Sequence, residues 1–199
     1  LRLKSLLASP PGNLGLATDL EPFFQDYPVR LSEKQGEALR LTLGSKVLIV
    51  TGGPGTGKTT LVKAILKLHA RSRKRIELAA PTGRAAKRLQ ETTGQNARTV
   101  HRLLEYRVQD GSFARNRETP LDCDILIVDE VSMLDMQMAA CLMEAVPDKA
   151  SLIMVGDADQ LPSVGPGSVL RECIASGVVP VVVLNEIFRQ SAESLIVVN

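Results

Sequence analysis

The sequence predicts an α/β domain in which a mainly parallel sheet carries helices on both faces. Five apolar runs alternate with helical stretches along the chain, the order that crossover connections between parallel strands require. The runs are continuously apolar rather than alternating, so both faces of each strand need covering. One of them, residues 46–51, leads into a glycine-rich turn that opens a helix, the strand-turn-helix setting of a phosphate-binding loop.

In chain order, residues 1–30, with Pro10-Pro11-Gly12-Asn13, read as a linker or the end of a preceding domain, and residues 31–199 as the domain itself. Ser32 caps a helix over 32–43. Strand 46–51 is followed by helix 59–71, and strand 75–80 by helix 84–91. Thr99 caps a short helix over 100–105. Strand 124–129, helix 135–146, strand 152–156, helix 167–175 and strand 180–184 complete the alternation. A hairpin insertion at about 105–120 breaks it: Asp110-Gly111 is read as a two-residue turn, with Val108 facing Phe113 and Tyr106 facing Arg115. Such a hairpin projects from the sheet instead of joining it.

Composition excludes several classes. With 199 residues, 44% apolar and 23% charged, the chain can bury a core of its own and is not a disordered segment. No apolar run reaches membrane-span length, and residues 1–10 are too weakly apolar for a signal peptide, so no membrane partner and a cytoplasmic location are expected. Cys123, Cys141 and Cys173, with only His69 and His101, offer no zinc-like spacing and read as reduced thiols. Net charge is only +2, but residues 63–117 hold 14 Lys or Arg against 4 Asp or Glu. That clustering suits a surface that meets phosphates, although solvated helix faces would give the same pattern.

The chemistry is densest at Gly52-Gly53-Pro54-Gly55-Thr56-Gly57-Lys58-Thr59-Thr60. Glycines let successive amides turn toward an anion, Lys58 adds charge at the outer phosphates, and Thr59 offers a hydroxyl to Mg²⁺. A nucleoside triphosphate such as ATP, with Mg²⁺, is the expected ligand. Asp129 and Glu130, at the end of the strand over 124–129, suit a metal partner and a group that orients or deprotonates the attacking water. Gln160 follows the next strand and could sense the terminal phosphate. Arg189, in Phe188-Arg189-Gln190, has the charge and planarity to stabilise phosphoryl transfer.

Taken in order, Gln35, the glycine-rich loop, residues 80–89, residues 99–104, Asp129-Glu130-Val131-Ser132-Met133, residues 156–167 and Phe188-Arg189-Gln190 resemble the first motor domain of RecD-type helicases of superfamily 1, which include the exodeoxyribonuclease V alpha subunit. The resemblance covers about residues 31–199. It implies a RecA-like P-loop NTPase fold with the fourth of the five strands between the first and third, which would set Gln160 beside the phosphate loop and Glu130. It further implies that Gln35 reads the adenine, that Arg189 reaches the γ phosphate, and that Pro81, Thr82, Gly83, Arg84, Thr99, His101 and Arg102 contact single-stranded DNA. His101 could equally be a packed first-turn residue. The hairpin would be a strand-separating pin.

The implied activity is an ATP-dependent 5′→3′ DNA helicase acting in recombination and repair, with single-stranded DNA and the nuclease and helicase subunits of an exodeoxyribonuclease V complex as partners. A Pif-class or RNA-directed helicase, or a regulatory P-loop module without motor activity, are the alternatives. Arg84 stands where the family usually has lysine, which keeps the charge. Pro162-Ser163 replaces an aromatic common nearby in the superfamily, so backbone contacts should dominate strand binding. The second motor domain is not found in the sequence, and coupled hydrolysis by this chain alone is expected to be weak.

Overall fold

The computed structural model describes residues 2–9, 19–70 and 74–186. Two helices, α1 (Arg2–Ala8) and α2 (Glu21–Asp26), precede α3 (Glu33–Gly44). The chain then runs through β1 (Val47–Gly52), α4 (Lys58–His69), β2 (Ile76–Ala80), α5 (Gly83–Thr93), β3 (Ala97–Thr99) and α6 (Val100–Leu103). A hairpin of β4 (Tyr106–Arg107) and β5 (Ser112–Phe113) follows, then β6 (Ile125–Val128), a 3-10 turn (Val131–Met133), α7 (Met136–Ala145), β7 (Ser151–Gly156), α8 (Val169–Ala175) and β8 (Val181–Leu184).

Six strands form one sheet in the order β3-β2-β6-β7-β1-β8, and every pairing in it is parallel. The continuous apolar runs are explained by two cores. Val47, Ile49, Leu126, Val128, Leu152 and Met154 face one, covered by α6, α7 and α8. Leu48, Val50, Ile125, Ile127, Ile153 and Val155 face the other, covered by α3 and α4. The period-2 alternation of Cβ direction thus divides each strand between two apolar layers. Full burial of each such side chain contributes about 1.5–3 kcal/mol, so these three strands dominate stability.

Caps set the helix starts as the residues suggest. Ser32 and Gln35 form a reciprocal capping box, the Gln35 amide donating to Ser32 Oγ at 3.2 Å and the Ser32 amide to Gln35 Oε1 at 2.9 Å. Thr82, Thr99 and Asp135 each accept from the amide three residues on.

Four details differ from the sequence expectations. A sixth strand, β3, joins the sheet edge beside β2. The stretch 1–30 carries α1 and α2, and Arg2 fastens α1 to the end of α7, bonding Asp148 Oδ1 at 2.7 Å and the Val146 carbonyl at 2.8 Å. The hairpin exists, but its register is two residues from the expected one: Tyr106 pairs Phe113 and Arg107 pairs Ser112. Asp110-Gly111 is not a two-residue turn because the Gly111 amide donates back to the Arg107 carbonyl at 3.0 Å, while Asp110 Oδ1 accepts from the Ser112 amide and hydroxyl, closing a four-residue loop. Helix α4 ends at His69; Arg71 and Arg73 lie outside the described residues.

His69 is buried at the end of α4, and burial, reinforced by Lys74, lowers its pKa from 6.5 to about 4. The unfolded chain therefore takes up this proton first as pH falls. The contribution to stability is full above pH 6.5 and is lost as pH drops toward about 4. Denaturant melts at pH 7 and pH 4.5 should show a smaller loss for His69→Gln than for the native chain; equal losses would contradict this.

Candidate active site

The glycine-rich loop leaves β1 at Gly52 and enters α4 at Lys58. A Cβ on Gly52 would stand 2.5 Å from the Leu184 carbonyl oxygen and 2.7 Å from Thr56 Oγ1, so the close approach of β8 requires glycine. Gly57, at φ 83°, supplies the left-handed turn into α4. Thr56 is buried and its hydroxyl donates to the Gly53 carbonyl at 2.8 Å, closing the loop on itself. Lys58 Nζ lies across the same loop, donating to the Gly52 and Gly53 carbonyls.

Sheet order brings the other groups to this loop. Strand β7 lies between β1 and β6, so the carboxyl ends of all three strands meet at one edge, where ligands of open α/β sheets bind. Gly53, Pro54, Gly55, Thr56, Gly57, Lys58, Thr59, Thr60, Asp129, Glu130 and Gln160 line one cleft of about 400 Å³, whose further wall is α5. That volume suits a small-molecule site.

Asp129 and Glu130 occupy it differently. Burial holds the Asp129 carboxyl above its ordinary range, opposed by the hydrogen bond it accepts from the Glu130 amide at 2.9 Å; the Glu130 carboxylate adds to the rise, and Lys58 and Arg88 oppose it. A desolvated carboxylate of this kind is stabilised by a cation. Glu130 adopts φ 55°, a left-handed conformation that costs a side-chain-bearing residue about 1–3 kcal/mol. Its carbonyl accepts from Met133, and its Oε2 is buried with no hydrogen-bond partner among the described residues. The unpartnered oxygen has acceptor capacity for a ligand or water.

Gln160 is reached through a tethered loop. The Ala158 amide donates to Thr51 Oγ1 at 3.0 Å, joining the loop to the end of β1. Ser132 Oγ donates to Gln160 Oε1 at 3.3 Å, joining Gln160 to the turn after Glu130. Arg171 of α8 clamps the loop from outside, donating to the Ala158 carbonyl at 2.6 Å and the Gln160 carbonyl at 3.2 Å. Sequence reading missed Thr51 and Arg171. A polar residue ending an apolar strand is a weak signal for the first, and nothing local marks the second.

Gln35 stands behind the cleft. It is buried, and besides its capping role its Nε2 donates to the Gly57 carbonyl at 3.1 Å, bracing the entry to α4. Arg189 lies outside the described residues.

The residues expected to meet a nucleic-acid strand occupy the next part of the same edge. Ala80 pairs with Thr99, so the segments after β2 and β3, Pro81 to Arg84 and Thr99 to Arg102, emerge side by side. Gly83, Arg84, His101 and Arg102 are exposed. Arg84 and Arg102 enter no ion pair with another described residue, whereas Arg98 pairs with Glu77 at 2.7 Å. His101, exposed in the first turn of α6, packs its ring against Tyr106 at 5.7 Å and Phe113 at 6.0 Å, linking this edge to the root of the hairpin.

A family model described as an AAA domain matches residues 35–166. The ATP-dependent RecD2 DNA helicase of Deinococcus radiodurans is 40% identical over 195 residues, covering 98% of this chain and 27% of that protein. The RecBCD enzyme subunit RecD of Mycolicibacterium smegmatis is 42% identical over 166 residues, covering 71% of this chain and 30% of its own length. The chain therefore spans under a third of these curated relatives. Among solved structures, the Pif1 helicase from Candida albicans matches with a TM-score of 0.58 at 28% identity, over 81% of this chain and 41% of that one. A Bacteroides Pif1 helicase in complex with ADP-AlF3 and ssDNA gives 0.58 at 25% identity, over 83% and 44%. No helix among the described residues is long and apolar enough to cross a membrane.

Removal of the Arg171 clamp should loosen the loop that carries Gln160 without unfolding the domain. In Arg171→Ala, amides of residues 158–161 should exchange with deuterium about tenfold faster or more, a loss of the size of one charged hydrogen bond, while the sheet amides keep their protection. Unchanged exchange at the loop would show that Arg171 does not hold it.

Proposed function

The chain belongs to the AAA domain family, matched over residues 35–166, and on that premise we propose that it is the first motor domain of a RecD-type DNA helicase. In this reading the cleft binds ATP, and hydrolysis drives movement along single-stranded DNA. One observation carries the proposal: Lys58, Thr59, Asp129, Glu130 and Gln160, from three separate segments, line a single cleft. A regulatory module that only binds nucleotide has no need of the carboxylate pair or of the tethered glutamine.

The residues divide the work by their chemistry. The loop amides over residues 53–60 and Lys58 take the phosphates. Thr59 and Asp129 fit a Mg²⁺ ion, which when bound draws charge from the phosphate oxygens. Glu130, with its unpartnered buried oxygen, orients and deprotonates the attacking water. Gln160, bonded to Ser132, reports the terminal phosphate to the turn that carries Glu130. Gln35 is assigned the adenine, a contact for which its buried amide would exchange its bonds to Ser32 and Gly57, and Arg189 is assigned the charge at the γ phosphate.

Strand contact is assigned to Pro81, Thr82, Gly83, Arg84, Thr99, His101 and Arg102. Their shared edge supports it, as do Arg84 and Arg102, which pair with no carboxylate among the described residues. The hairpin is assigned the separating role, supported by its pairing apart from the main sheet and by Val108, 84% exposed near its tip. Movement 5′→3′, a place in recombination and repair, and nuclease and helicase partner subunits follow the RecD-type relatives, one of which is named as a RecBCD subunit.

The natural full-length protein should hydrolyse ATP, and single-stranded DNA should stimulate it. Lys58→Ala should abolish MgATP binding; Glu130→Gln should retain binding and lose on the order of 100-fold or more in turnover. Absence of any stimulation by single-stranded DNA would contradict the motor reading, and stimulation by RNA alone would redirect it. Deleting residues 106–115 should spare stimulated hydrolysis while impairing duplex unwinding, and equal unwinding by the deletant would refute the separating role.

A further inference from the structure

Helix α5 divides its side chains lengthwise. Ala85, Arg88, Leu89 and Thr92, at the i, i+3, i+4, i+7 spacing of one helix face, all line the cleft. Arg84, Lys87 and Glu91 recur on another face, where Lys87 and Glu91 approach to 3.8 Å. Arg88 is thereby separated from the basic residues adjoining it in sequence and directed to the phosphate-binding side.

Its electrostatic setting differs from that of several other basic residues. Arg75, Lys87, Arg98 and Arg115 each pair with a carboxylate. Arg88 is exposed and pairs with none among the described residues. The carboxylates lining its cleft are Asp129 and Glu130, and the charge of Arg88 is felt at Asp129 together with that of Lys58. The helix that presents it is firmly seated: Thr82 caps it, and Ala86 and Leu89 are buried beneath it. A guanidinium on a rigid support, sharing a cleft with a lysine and two carboxylates suited to a cation, fits a polyphosphate with its metal.

We propose that Arg88 contacts the phosphate chain of the bound nucleotide, favouring triphosphate over diphosphate, and that α5 thereby links the nucleotide cleft to the strand-contacting segment at its own amino end. The proposal rests on the nucleotide reading above. Thr82, Gly83 and Arg84 open the same short helix whose second turn carries Arg88. A pull on Arg88 by the phosphates is therefore a pull on the segment assigned to DNA, with no flexible joint between them.

The test is calorimetric titration of this chain and its variants with MgATP and MgADP, alongside binding of a single-stranded oligonucleotide. Arg88→Ala should weaken MgATP by about tenfold or more, as loss of a charged hydrogen bond does, and MgADP by less. Lys87→Ala, altered on the other face, should leave nucleotide affinity unchanged. Unchanged MgATP affinity in Arg88→Ala would overturn the proposal, whether or not oligonucleotide binding falls, and so would an equal loss in Lys87→Ala. If native chain and Lys58→Ala alike fail to bind nucleotide, the nucleotide reading itself falls and takes this proposal with it. If only Arg88→Ala is silent, the nucleotide reading stands and this proposal alone fails. Because Arg88 is exposed, thermal melts of the variant should match the native chain.

Discussion

The parallel pairing of β7 with β1 is the interaction on which the rest of the site depends. It runs from Val47 opposite Leu152 to Thr51 opposite Gly156, and β7 pairs on its other edge with β6. This ladder sets the phosphate loop, the Asp129-Glu130 corner and the 157–160 loop at adjacent strand ends. Thr51 then accepts from Ala158 across the same boundary. Without this insertion of β7, the acidic corner would follow a strand next to β1 and the glutamine loop would have no place between them. The energy that enforces the order is apolar: both faces of these strands are buried, so a slip of one residue would exchange the two cores.

The carboxyl edge is divided by the same topology. Strands β1, β7 and β6 end at the cleft of the glycine-rich loop, and β2 and β3 end at the exposed basic segments. Helix α5 starts from the second region and lines the first. The hairpin departs from beyond α6, and its root is tied back by the ring contacts of His101, Tyr106 and Phe113. The cleft, the exposed basic segments and the root of the hairpin are therefore arranged in sequence along one rim.

Much of this was legible in the residues because the deciding signals are local or strongly patterned. Five of the strands are largely apolar runs, interrupted in β2 by Glu77, and the caps at Ser32 and Thr99 act within one turn. The phosphate loop declares itself through glycines that the close approach of Leu184 and the turn at Gly57 require. What escaped is short or non-local. Strand β3 has three half-buried residues, one of them Arg98, and no apolar run to mark it. Helices α1 and α2 are each under two turns, and α1 is held by Arg2 reaching residues more than a hundred positions away. The hairpin register failed on turn chemistry, where the Asp110 side chain competes for the backbone of Ser112. The Arg171 clamp joins an exposed side chain of α8 to a loop 11–13 residues earlier, a contact that no spacing rule predicts.

The convergence of three strand ends on one ligand is tested most directly by deuterium exchange of this chain with and without MgATP. Residues 53–60, 129–132 and 157–160 should gain protection together, because one ligand bridges loops that the β1–β7–β6 order has already placed side by side. Protection confined to the phosphate loop, or appearing only away from this edge, would show that the acidic corner and the glutamine loop do not share its ligand.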